Sequence, residues 1–86
     1  MAEVLVRYFG AARAATGVDQ ESLPAGRTLA DVLAELRFRP VAPGAPSLAT
    51  VLGRSSFLLN EIALRDHATV LGPDDVLDVL PPFAGG

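Results

Sequence analysis

The strongest chemical signal in this chain lies at its end, in Asp78-Val79-Leu80-Pro81-Pro82-Phe83-Ala84-Gly85-Gly86. An apolar run halts at a proline pair, and the sequence closes on two glycines. Proline cannot donate a ladder hydrogen bond and favours extended polyproline geometry. Pro81 and Pro82 are therefore expected to end a strand and aim the last residues away from the body. Glycine has the most backbone freedom to lose on ordering, so Gly85-Gly86 is expected to be flexible and solvated. Residues 81–86 then read as a thin tail presenting the carboxylate of Gly86 with no side chain to shield it. Chain ends often fray, and two glycines alone would not carry this reading. It gains weight because the rest of the chain offers no other reactive group.

His67 is the single histidine, and with no cysteine present no second soft ligand completes a metal set, so a surface-loop histidine is expected and no metal. Asp66 and the acidic pairs fall at turn sequences, where aspartate is favoured for backbone reasons. Ser55-Ser56 has no lysine partner, because the chain contains none, and lacks the glycines of a nucleophile elbow. Gly10 and Gly17 are spaced wrongly for either phosphate-binding loop. An active site within the domain is not expected.

A chain of 86 residues is one domain, 1–86, near the lower end of what folds alone. Half of it is apolar, enough for a packed core and too much for a disordered segment. The formal net charge of -3, with the basic residues scattered as single arginines, argues against nucleic acid as a partner. No apolar run approaches membrane-spanning length and no charged-then-apolar leader opens the chain, so a soluble, cytoplasmic protein is expected, with no membrane partner.

Positioning the tail requires a scaffold, and its elements are legible. Residues 3–9 are rich in β-formers and read as a strand, with Val4, Val6 and Tyr8 on one face and Leu5, Arg7 and Phe9 on the other. Residues 10–17 form a short alanine-rich helical segment ending at Gly17, and 18–23 a short polar strand. Thr28 caps the one clear helix, with Asp31 completing an approximate capping box. Leu29, Val32, Leu33 and Leu36 give it a single apolar stripe, and Pro40 marks its stop. Three prolines make 40–46 a loop, and 47–52 one further helical turn. Residues 56–60 read as a strand, Asn60-Glu61 as a turn, 62–64 as a brief returning edge and 72–75 as another turn. Residues 76–80 form the last strand, expected to be central because it is apolar on both faces except at Asp78. The order predicts a two-layer α+β domain with the last strand beside the first.

These features resemble the ubiquitin-like sulfur carriers, and most closely the small subunit of molybdopterin synthase. The likeness rests on Val4-Leu5-Val6-Arg7-Tyr8-Phe9, on residues 10–17 with Arg13 inside, and on the helix capped by Thr28. It continues through Leu59-Asn60-Glu61 and Leu71-Gly72-Pro73-Asp74-Asp75-Val76 to the Pro81-Pro82-Phe83-Ala84-Gly85-Gly86 ending, its most specific element. Residues 39–54 match poorly. The resemblance implies a β-grasp fold, a mixed sheet packed on one main helix. It implies a carrier with no bound cofactor, whose Gly86 carboxylate is adenylated with ATP by an enzyme related to ubiquitin-activating enzymes. The resulting thiocarboxylate would deliver sulfur to a pyranopterin precursor inside the large synthase subunit. Carriers for thiamine thiazole or cysteine synthesis, and ubiquitin-like modifiers, are the alternatives. Gly85 and Gly86 would carry the chemistry, and Leu5, Phe9, Leu80, Pro81, Pro82, Phe83 and Ala84 would face the partner. If the first and last strands are neighbours, Leu5, Phe9 and Leu80 form one apolar patch, unless a loop covers it. Phe9 and Leu80 are then expected to serve docking and to add little to the domain's own stability.

Overall fold

Alternation along β1 (Glu3–Tyr8) sends Val4, Val6 and Tyr8 to one face, and all three are buried. That face must be covered, and the later elements cover it. The computed structural model describes residues 2–82. After β1 come α1 (Gly10–Thr16), β2 (Gln20–Pro24), α2 (Leu29–Arg37), α3 (Leu48–Gly53), β3 (Ser56–Leu59), β4 (Ile62–Ala63) and β5 (Val76–Leu80). The strands form one sheet in the order β2-β1-β5-β3-β4. β1 and β5 run parallel and the other neighbours antiparallel. This mixed sheet with α2 against it is the α+β architecture that the element order predicts and the β-grasp that the resemblance implies. The last strand is indeed central.

α2 begins where its sequence says. The Thr28 hydroxyl accepts the Asp31 N–H at 3.1 Å, and the Asp31 carboxylate accepts the Thr28 N–H at 3.4 Å. The orphan N–H groups of Leu29 and Ala30 donate to the carbonyls of Thr69 and His67, so the irregular stretch before β5 is tied across the start of the helix. Leu29, Val32, Leu33 and Leu36 are all buried. α1 adds Ala12 and Ala15 to the same core, and α3 adds Leu48, Val51 and Leu52. Leu71, from a segment without regular structure, is fully buried there too.

Several sequence boundaries shift by a residue or two, and two of the shifts have a plain local cause. β1 stops at Tyr8 because Phe9 is already the N-cap residue of α1. β2 starts at Gln20 because Gly17, at φ 78°, ends α1 in the left-handed conformation and the Thr16 hydroxyl accepts the N–H of Val18, holding that residue in the turn. Pro24 is tolerated within β2 because that strand is an edge.

Turn chemistry sets the start of β5. Asn60 and Glu61 both have positive φ, 51° and 72°, which joins β3 to β4 tightly. The Asn60 side chain then clamps the next strand: its Oδ1 accepts the Val76 N–H and its Nδ2 donates to Asp75, both at 2.9 Å.

Candidate functional site

Parallel pairing brings the C-terminal ends of β1 and β5 to the same border of the sheet. Tyr8 lies opposite Val79, so Phe9 and Leu80 come next, side by side, and the Phe9 N–H donates to the Val79 carbonyl at 3.3 Å. Gly10, at φ 50°, then turns the chain into α1. α3 approaches the same border with Thr50, Val51 and Arg54, while Leu48 and Leu52 face the core. A groove of about 470 Å³ opens between these elements. Phe9, Pro46, Leu80, Pro81 and Pro82 make it mainly apolar, while Thr50 and Arg54 supply its polar groups. The last described residues, Pro81 and Pro82, lie along this groove.

Four of the predicted site residues, Phe9, Leu80, Pro81 and Pro82, therefore meet in one place. Phe83, Ala84, Gly85 and Gly86, including the expected flexibility of the tail, lie outside the described residues. Phe9 is 41% exposed, so more than half of it is covered by the domain itself. The residue is thus shared between the open groove and the domain beneath it.

Leu5 does not join this group. It pairs with Val76 four positions back along the strands, and between the two apolar pairs sits Arg7 opposite Asp78. Their side chains form a bidentate ion pair, Nε to Oδ1 at 2.6 Å and Nη2 to Oδ2 at 2.8 Å. The expected single patch of Leu5, Phe9 and Leu80 is thus two apolar areas divided by a charge pair. The charged faces of β1 and β5 do point away from α2, as an unpaired charge in a small core would be costly. Asp78 is nevertheless only 5% exposed, sheltered by Arg7 and by Leu58 of β3.

A second polar group supports the site from behind. The Tyr8 hydroxyl donates to the Glu21 carboxylate at 2.7 Å, and Arg39 forms an ion pair with the same oxygen. This ties the loop after α2 to the sheet. Burial, reinforced by the hydrogen bond to Glu21, pushes the Tyr8 phenol well above its ordinary pKa.

The groups set aside on sequence grounds are occupied with structural work. Asp66 accepts the Ala68 N–H, Asp75 accepts the Gly72 N–H at 2.7 Å, and the Ser55 hydroxyl donates to the Val51 carbonyl. His67 is exposed, and no metal-binding cluster of acidic, His or Cys side chains occurs among the described residues. Sequence reasoning misses Pro46, Thr50 and Arg54, all from the stretch that matches the resemblance poorly. A signal is present: Ser47 caps the helix through the Thr50 N–H, and apolar residues at 48, 51 and 52 leave 50 and 54 for the opposite side.

Sheet and helix together define a ubiquitin-like domain whose last described residues, Pro81 and Pro82, line the groove beside Phe9 and Leu80. A sequence model of the ThiS family matches residues 6–86, and the chain belongs to that family of ubiquitin-like sulfur carriers. Three solved structures share the fold. Small archaeal modifier protein 1 from Methanosarcina acetivorans is 29% identical with a TM-score of 0.74, covering 100% of this chain and 98% of its own. The Haloferax volcanii HVO 2177 protein is 28% identical at a TM-score of 0.72, covering 99% of this chain and 87% of its own. A chain in the complex of subunits 1 and 2 of molybdopterin-converting factor from Helicobacter pylori is 27% identical at a TM-score of 0.71, covering 98% and 99%. A comparison with curated protein sequences finds no match. No helix among the described residues is long and apolar enough to cross a membrane.

Proposed function

We propose that this chain is the small, sulfur-carrying subunit of a molybdopterin synthase, acting in the cytoplasm without an active site or bound cofactor of its own. The observation that carries it is the likeness, over nearly the full length of both chains, to a component of the two-subunit Helicobacter pylori molybdopterin-converting factor. The groove beside Pro81 and Pro82 supports it, because a partner that threads the expected tail must grip the body at that point.

The chemistry rests on Gly86. Its carboxylate is a poor acyl donor until it attacks the α-phosphate of ATP on an activating enzyme, releasing pyrophosphate and forming an acyl-adenylate. A sulfur nucleophile then displaces AMP and leaves a thiocarboxylate. Glycine has no Cβ to crowd either attack, or the passage of the arm through a narrow channel in the large subunit. There the sulfur passes to a pyranopterin precursor. Ordering the arm costs about 1–2 kcal/mol per residue, which docking of the body at Phe9, Leu80, Pro81 and Pro82 must offset.

The likeness to a small archaeal modifier protein favours a second reading, in which Gly86 is joined to lysines of other proteins. Intact mass separates the two. After incubation with the activating enzyme, ATP and a sulfur donor, the carrier should gain about 16 Da, sulfur in place of oxygen. The large subunit should remove that gain in the presence of the pterin precursor. A chain lacking Gly86 should stay folded and gain nothing. Absence of the gain, with lysine-linked conjugates in its place, would favour the modifier.

A further inference from the structure

Seven arginines are present. Ion pairs among the described residues engage Arg7, Arg13, Arg27 and Arg39, which leaves Arg37, Arg54 and Arg65 without a carboxylate partner there. Two of those three share one cleft. Arg37, in the last turn of α2, and Arg65, just beyond β4, line a cavity of about 530 Å³ together with His67. Leu33, Phe57 and Leu64 supply its apolar wall, and no aspartate or glutamate lines it. It shares no residue with the groove beside the tail.

His67 is held rather than loose. Its carbonyl accepts the Ala30 N–H at 2.9 Å, and its ring meets the buried Phe57 edge-on, with centroids 6.0 Å apart. The Ser55 hydroxyl is already committed to the Val51 carbonyl at 2.7 Å, so the side-chain nitrogens and the Ser56 hydroxyl are the side-chain donors left for a guest. The two guanidinium groups give the cleft two positive charges, on a chain whose formal net charge is -3. A single carboxylate would match one guanidinium fork and leave the other unanswered. A phosphate monoester, at about -1.5 to -2 near neutral pH, matches both. The apolar wall and the volume, within the roughly 300–1,000 Å³ usual for small-molecule sites, call for an organic body on that phosphate.

We propose that this cleft binds a phosphate monoester with an aromatic or aliphatic body, held by Arg37, Arg65 and His67 and seated against Phe57. The test is a nitrogen-15 amide titration of the intact chain with phenyl phosphate at about 0.15 M salt, where nonspecific attraction is largely screened. Saturable shifts are expected at Gly53, Phe57, Leu64 and His67, with a Kd on the order of 1 mM and weaker binding of inorganic phosphate. Arg37→Gln with Arg65→Gln should weaken binding roughly tenfold or more, each single change giving part of the loss, with unchanged resonances in β1 and β2 showing that the fold is kept. Shifts that never saturate, that are as large around Arg54, or that survive in the double variant would overturn the site. Tighter binding of an oligoglutamate peptide than of phenyl phosphate would overturn the ligand class.

Discussion

Replacing Phe9 by alanine separates the two roles of the groove. A phenylalanine side chain offers roughly 200 Å² for burial. With the residue 41% exposed, about 80 Å² remains for a partner and about 120 Å² is already covered by the domain. At about 25 cal/mol per Å² the first area is worth ~2 kcal/mol, or a roughly 30-fold loss of affinity. The second is worth at most ~3 kcal/mol of folding stability, an upper bound because the unfolded chain already covers some of its apolar surface. The variant should therefore melt earlier and, while still folded, bind the large subunit more weakly. Titration calorimetry well below the variant's melting temperature, paired with a denaturant melt of the free domain, reads both. Affinity within twofold of the parent in a fully folded variant would show that the groove beside the tail is not where the partner grips.

The core and its polar border supply two further tests. Leu33→Ala, at the centre of the α2 stripe and 2% exposed, should cost about 2–5 kcal/mol in a denaturant melt, and a loss below about 1 kcal/mol would mean that the cavity closes without cost. The raised pKa of the Tyr8 phenol makes stability fall in alkali. The unfolded chain ionises first, near pH ~10, so the contribution of Tyr8 is intact below that pH and declines above it by up to ~1.4 kcal/mol per pH unit. Tyr8→Phe should remove that decline, and parallel alkaline stability curves for the two proteins would refute the assignment.

Much of this molecule is written locally. The capping box at Thr28 and Asp31, the left-handed Gly17 and the Leu29, Val32, Leu33, Leu36 stripe each depend on residues within a turn or two of one another, so α1 and α2 are legible from spacing alone. The same holds for the alternation of Val4, Val6 and Tyr8, which identifies the buried face of β1 before its neighbours are known. α3 is legible as a single turn, but the use of its exposed side, with Thr50 and Arg54 lining the groove, depends on elements distant in the chain.

The chain by itself thus determined the elements and their inward faces. Register was left to tertiary structure, because a hydrogen-bonded ladder joins residues that carry no mark of one another. Arg7 meets Asp78 across 71 positions, and Phe9 comes beside Leu80, only because β1 and β5 pair in parallel at one particular offset. That offset turns one expected patch into two, buries an aspartate on the face away from the helix and puts a groove beside Pro81 and Pro82. Arg37, Arg65 and His67 come together for the same reason: helix end, strand edge and loop become neighbours only when the sheet closes over α2.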